Sequence, residues 1–157
     1  MKLKKFPYNK ILLAESVLND LNHYRQRINE PETGGILLGK ILANGNIIIC
    51  NCSRPCISGK AYAVGFERSS KLANQIIRQF FNESNGTIVY VGEWHTHPEN
   101  VPSPSATDLK SIKNIYNTTN LNSDIIVYII IGRKSEYYGC YDGQMHYIIN
   151  PIYLHHK

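Results

Sequence analysis

Two histidines separated by one residue stand at the end of an apolar run and are followed by a serine-capped aspartate. That pattern in Gly92-Glu93-Trp94-His95-Thr96-His97-Pro98 and Ser105-Ala106-Thr107-Asp108 constrains the chain more than any other feature. The preceding residues, Gly86-Thr87-Ile88-Val89-Tyr90-Val91, read as a strand. A strand's period of two sends His95 and His97 to one face, and Trp94 and Thr96 to the other. Pro98 has no N–H to donate and ends the ladder. Ser105 suits a helix N-cap three residues before Asp108. The fold must therefore bring a strand end and a helix start together across a short loop. Three potential ligands then surround one ion.

The rest of the chain supplies a frame for that convergence. Apolar positions Ile11, Leu12, Val17, Leu18, Leu21 and Tyr24 approximate a 3.6-residue period, which predicts a first helix over about 9–28, stopped by Pro31. Residues 1–8 read as a short strand or arm. Glu32-Thr33-Gly34-Gly35 opens an apolar strand, Ile36–Leu42, and Asn44-Gly45 is a strong hairpin signal returning through Asn46–Cys50. Residues 51–65 read as an irregular loop with a short strand at Ala61–Val64. A second helix is expected over Glu67–Phe81, with Leu72, Ile76, Ile77 and Phe80 on one face and Asn85-Gly86 at its end. After the Pro-rich loop 99–104, Leu109, Ile112 and Ile115 or Tyr116 give a third helix its apolar stripe. Ile125–Ile131 suits a buried strand, and Glu136–Tyr141 with Gln144–Ile149 suits a hairpin around Asp142-Gly143. No repeat or linker interrupts the 157 residues, so one domain over 1–157 is expected. Alternating helices and strands together with two hairpins predict a mixed α/β fold, a mixed sheet flanked by about three helices.

Composition narrows the function classes. A chain that is 43% hydrophobic and 18% charged is not a disordered one. Its formal charge of +5 is scattered apart from the Lys2–Lys5 cluster, which argues against nucleic acid as a partner. No apolar run approaches the ~20 residues of a membrane span, and the basic N-terminus lacks a signal-peptide core. A soluble cytoplasmic protein without a membrane partner is expected. Cys50, Cys52, Cys56 and Cys140 contain no C-x-x-C pair and read as free thiols rather than a second metal site.

His95, His97 and Asp108 provide the ligand count of a hydrolytic zinc site, three protein ligands and an open fourth position. Zinc lowers the pKa of bound water from about 15.7 to about 7 and polarises a carbonyl. A general base is also needed. Glu32, just before two glycines, and Glu93, on the same strand face as the histidines, are both candidates on spacing alone. Ser105 has two compatible roles, as the cap that fixes Asp108 and as a donor to a developing oxyanion. His23, His146, His155 and His156 have no such company and read as structural or surface residues.

Glu32, then His95-Thr96-His97-Pro98, six residues, Ser105, two residues and Asp108 resemble the zinc metalloprotease motif of the JAB/MPN family, also called JAMM. Glu32-Thr33-Gly34-Gly35-Ile36-Leu37-Leu38-Gly39 is similar to that family's glutamate strand, no motif position departs from the pattern, and the resemblance covers nearly the whole chain. It implies a curved mixed sheet with helices on both sides, the cytidine-deaminase-like JAB/MPN architecture. It implies Zn2+ bound by His95, His97 and Asp108, with Glu32 rather than Glu93 as the base, and Ser105 at the oxyanion. The short chain is similar to the prokaryotic branch, whose members accompany ubiquitin-like proteins, ubiquitin-transfer-type enzymes or anti-phage operons in which a nucleotidyltransferase is released from its conjugates. The implied activity is hydrolysis of the amide bond after the terminal glycine of a ubiquitin-like protein or a similar tail, gripped as an added strand between the 51–65 and 99–104 loops. The alternatives are a zinc hydrolase of a small non-protein amide and a DNA-associated binding module.

Overall fold

A computed structural model describes residues 3–6, 11–62 and 65–155. Its centre is strand β8 (Ile126–Ile131), whose six residues are all buried, as expected of a strand covered on both faces. Val127, Ile129 and Ile131 pack with Val17 and Leu21 of α1 (Glu15–Asn22), whereas Ile126, Tyr128 and Ile130 pack with Ala73 and Ile76 of α2 (Ser70–Glu83) and Ile112 of α3 (Ala106–Thr118). One helix thus covers one face of the sheet and two cover the other.

Among the described residues the curved mixed sheet has nine strands. Beside β8 lie β7 (Val89–Thr96), parallel to it, and β9 (Glu136–Tyr141), antiparallel. Beyond β7 come β3 (Gly34–Ile41), β4 (Ile47–Cys52), β2 (Ile11–Ala14) and β11 (Ile152–Leu154); beyond β9 come β10 (His146–Ile148) and β1 (Lys4–Lys5). The β3–β4 and β9–β10 hairpins form where Asn44-Gly45 and Asp142-Gly143 were read, with Gly45 at φ 85° and Gly143 at φ 94°, angles that favour glycine.

Several expectations need correction. The first helix starts at Glu15, not Asn9, because Ile11, Leu12 and Leu13 pair in parallel with Ile47, Ile48 and Ile49. Three consecutive apolar residues fit either period, and the sheet claims them; residues 7–10 lie outside the described residues. The helix also stops at Asn22, and Tyr24 is sheltered by stacking on Trp94 at 4.9 Å instead of by a helical face. The 51–65 segment is less irregular than expected. It continues β4 to Cys52 and then enters a separate two-stranded sheet, β5 (Ile57–Tyr62) with β6 (Gly65–Arg68). Arg68 pairs with Ile57, and Ser69 caps the helix by accepting from Leu72 N at 3.1 Å, so α2 begins at Ser70 rather than Glu67. Strand β11 was not anticipated. Among the described residues no helix is long and apolar enough to cross a membrane.

One irregularity positions everything that follows. The register of β3 against β7 runs Leu37–Gly92, then Leu38–Tyr90, and skips Val91. This β-bulge reverses the alternation of β7. Val89 and Val91 face α1, as does Trp94; Glu93, paired with Tyr128, and His95, paired with Ile130, face α2 and α3. A Cβ on Gly92 would lie 1.7 Å from the Val127 carbonyl oxygen, so only glycine permits this approach of β7 to β8.

Candidate metal centre

The bulge turns His95 and His97 toward α3. The last sheet bond after His95 is from His97 N to Ile131 O, 2.9 Å, before Pro98 ends the ladder. Across the loop, Ser105 starts α3 with a reciprocal cap. Asp108 N donates to Ser105 Oγ at 3.0 Å, and Ser105 N donates to Asp108 Oδ2 at 2.9 Å. The carboxylate so fixed meets both imidazoles. His97 Nε2 lies 2.9 Å from Asp108 Oδ2, His95 Nε2 lies 3.4 Å from Oδ1, and the two Nε2 atoms are 3.2 Å apart.

These distances fit a shared cation. Bonds of about 2.0–2.1 Å to a tetrahedral ion put its ligand atoms about 3.3 Å apart. Two ring nitrogens aimed at each other can share at most one proton, and a cation between them and the carboxylate resolves the conflict. His95, His97 and Asp108 form the one such group of potential ligands among the described residues. Behind His97, the buried Nδ1 has no aligned hydrogen bond but faces Glu99 Oε1 at 3.3 Å. A carboxylate behind a ligating imidazole commonly fixes its orientation and tautomer. Glu99 was missed in the sequence, although its place two residues after His97 was a signal.

Glu32 reaches the same cleft from the segment before β3. Its Oε1 is 3.9 Å from His97 Nε2, outside hydrogen-bond range. Two bonds hold its neighbour to the histidine strand: Thr33 N donates to Thr96 Oγ1 at 3.0 Å, and Thr96 N donates to Thr33 O at 2.9 Å. Thr96 Oγ1 in turn donates to Gln26 Oε1 at 3.3 Å. Nearby, a Cβ on Gly35 would sit 2.4 Å from Ser53 Oγ and 2.7 Å from Trp94 Nε1, which explains that glycine of the Gly-Gly pair. Glu93 shares the face of the histidines as expected, yet both of its oxygens are engaged. Arg68 donates to it through Nε and through Nη2 (3.2 Å to Oε2), and Tyr90 donates to Oε2. Nothing in the sequence pattern signalled Arg68.

The cleft has a volume of about 470 Å³, and Glu32, Arg68, Glu93, Glu99 and Ser105 line it with the three potential ligands. Of the two walls expected, the 99–104 loop contributes Glu99, next to Pro98, whereas among the described residues none of 51–65 lines the cleft and Arg68 of β6 stands there instead. Burial pushes the Glu32 carboxyl up to about 7, against the pull of His97. Burial opposes charge on Asp108 too, but bonds to His95 and His97 hold it well below the usual carboxylate range. For His97, burial disfavours the charged form, while Asp108, Glu32 and Glu99 raise its pKa on balance.

The cysteines and histidines read as having no part in the site lie elsewhere. All four cysteines are free, with Cys56 and Cys140 buried. His146 contacts Tyr128 Oη at 3.3 Å, His155 pairs with Glu15 at 2.9 Å on the surface, and His156 lies outside the described residues.

Comparison with known proteins points the same way. The family of prokaryotic homologues of the JAB domain matches residues 14–142. An Escherichia coli protein named CD-NTase/cGAS isopeptidase is 35% identical over 133 residues, 83% of this chain and 81% of that protein. A Vibrio cholerae protein of the same name is 32% identical over 131 residues, 82% of this chain and 80% of that one. The solution structure of a Desulfitobacterium hafniense protein superposes with a TM-score of 0.61 at 16% identity, covering 94% of this chain and 93% of that one, which bears on the fold alone.

Proposed function

Because the chain belongs to the family of prokaryotic homologues of the JAB domain, we propose that it is a zinc-dependent isopeptidase acting on protein conjugates. The observation that carries this reading is the convergence of His95 Nε2 on Asp108 Oδ1 at 3.4 Å, His97 Nε2 on Asp108 Oδ2 at 2.9 Å and the two Nε2 atoms on each other at 3.2 Å, in a cleft that Glu32 also lines.

His95, His97 and Asp108 would hold the zinc. When bound, the ion acidifies water and polarises the scissile carbonyl. Glu32 takes the proton of the attacking water and delivers it to the departing amine. Its half-buried carboxyl, pushed up to about 7, suits a group that must hold and release a proton near neutral pH. The Thr33–Thr96 bonds keep that carboxyl beside the histidines without making it a ligand. Ser105 accepts from Asp108 N, which leaves its hydroxyl proton free to point into the cleft, as an oxyanion donor requires.

The proposed substrate is an amide or isopeptide bond after the terminal glycine of a ubiquitin-like protein or similar tail. The name shared by the relatives, CD-NTase/cGAS isopeptidase, directs this to conjugates of a CD-NTase. Ubiquitin-transfer-type enzymes as partners and a cytoplasmic role in anti-phage defence belong to the proposal through the family resemblance, not through that name. An extended tail would add to the β5–β6 sheet, whose Arg68 borders the cleft.

The test is cleavage of fusions between glycine-ended tails and a reporter protein, with wild type and Glu32→Ala compared at equal zinc content. Release of the reporter after the terminal glycine by wild type alone is the expected result. A zinc-loaded wild type that cleaves no tail, CD-NTase conjugates included, would refute it and favour hydrolysis of a small amide.

A further inference from the structure

Glu93 takes no part in the chemistry assigned above, yet it stands closer in sequence to the ligands than Glu32 does. The strand's period of two puts it on the same face of β7 as His95, the face that the bulge at Val91 turns toward α2 and α3, and side chains two apart on a strand are separated by about 7 Å. That is within reach of a glutamate turning toward an ion held by His95. Carboxylate oxygen is an ordinary zinc ligand, and a fourth protein ligand is what separates a closed structural site from an open catalytic one. A carboxylate left loose at position 93 would therefore compete for the open position.

The structure restrains it. Glu93 is only 6% exposed, and its oxygens are divided among three donors: Arg68 Nε to Oε1, and Arg68 Nη2 with Tyr90 Oη to Oε2. A guanidinium fork fixes the direction of a carboxylate as well as its charge. Arg68 is itself anchored, by strand pairing with Ile57 and by a 3.2 Å bond from Nη1 to Ser70 Oγ at the start of α2. Tyr90 comes from β7 and is 5% exposed. The fork thus reaches across from the small β5–β6 sheet and engages both oxygens of Glu93, which is not one of the grouped potential ligands.

We propose that Arg68, with Tyr90, is a positioning residue that holds Glu93 out of the metal's coordination sphere and so keeps the fourth ligand position open. This rests on the metal-site reading of His95, His97 and Asp108. It differs from a plain structural ion pair in one respect: loss of Arg68 should strengthen metal binding while weakening catalysis.

The experiment uses the full-length protein loaded with Zn2+, and with Co2+ as a spectroscopic substitute. Chelator competition measures affinity, and the visible absorption of cobalt reports its ligands. Relative to wild type, Arg68→Ala is expected to bind zinc more tightly, by about tenfold or more, through the added carboxylate ligand, to alter the cobalt spectrum, and to lose turnover through kcat rather than KM. Arg68→Ala with Glu93→Gln should return affinity and spectrum to wild-type values and recover kcat, because the amide is a poor ligand. Should Arg68→Ala fail to fold around the unpaired Glu93 charge, Arg68→Lys with and without Glu93→Gln makes the same comparison. Unchanged affinity and spectrum in the foldable Arg68 variant would overturn the proposal, as would a Glu93→Gln second substitution that rescues nothing. A wild type that binds neither metal would overturn the metal-site reading along with it. Wild-type binding with indifferent Arg68 variants removes the positioning role alone.

Discussion

Replacing Thr96 by valine removes one oxygen from between the two histidines while keeping nearly the same shape. Thr96 is 0% exposed, and its Oγ1 accepts from Thr33 N at 3.0 Å and donates to Gln26 Oε1 at 3.3 Å. The valine leaves the Thr33 N–H without that acceptor and deprives Gln26 of a donor. An enclosed polar group that loses its partner costs about 1–3 kcal/mol. Taking about 2 kcal/mol, and about 2–4 °C per kcal/mol for a chain of this size, Tm should fall by about 4–8 °C. Turnover should fall further than stability alone explains, by about tenfold or more, because Thr33 adjoins Glu32, the proposed base, and small misplacements of such a group are costly. Thr96→Ser keeps the hydroxyl and should retain most of the turnover. Thermal melts and fusion cleavage well below Tm measure the two effects separately. A valine variant that melts within 1 °C of wild type and cleaves at the same rate would refute the claim that this hydroxyl ties the Glu32 segment to the histidines.

Other perturbations probe other parts of the account. Gly92→Ala drives a Cβ to 1.7 Å from Val127 O and should cost about 3 kcal/mol or more, read by denaturant unfolding. Ser105→Ala should lose about 1 kcal/mol through the cap and about 10–1000-fold in turnover through the oxyanion donor; a stability loss with unchanged turnover would leave Ser105 as a cap only. Stripping the ion with a chelator should lower Tm by about 8–16 °C if free zinc in the holo sample is about 1,000-fold above Kd, since binding then contributes about 4 kcal/mol. A melt indifferent to chelator and added zinc would count against a bound ion.

The parts of the molecule legible in the sequence are those set by short-range chemistry. Asn44-Gly45 dictated a hairpin, Ser105 a capped helix, and a period of two brought Glu93, His95 and His97 to one face. Which face was not legible, because the bulge at Val91 arises from the register of β7 against β3, a pairing between residues far apart in the chain. The same limit hid β2, where Ile11, Leu12 and Leu13 satisfy both helical and strand periods until β4 takes them. Arg68 was invisible because it reaches Glu93 only through the β5–β6 sheet, which a stretch interrupted by Gly59 and Gly65 does not announce. The choice of Glu32 over Glu93 came from resemblance, and its physical tether is the bond from its neighbour Thr33 to the hydroxyl of Thr96, 63 residues further along the chain.

The most direct test of the central claim is zinc stoichiometry measured beside fusion cleavage in wild type, Glu32→Ala and Asp108→Ala. If His95, His97 and Asp108 hold the ion and Glu32 moves the proton, Glu32→Ala should keep its zinc and lose turnover, whereas Asp108→Ala should lose both. Equal zinc loss in the two variants would make Glu32 a ligand and contradict the account, as would a zinc-free wild type that still cleaves.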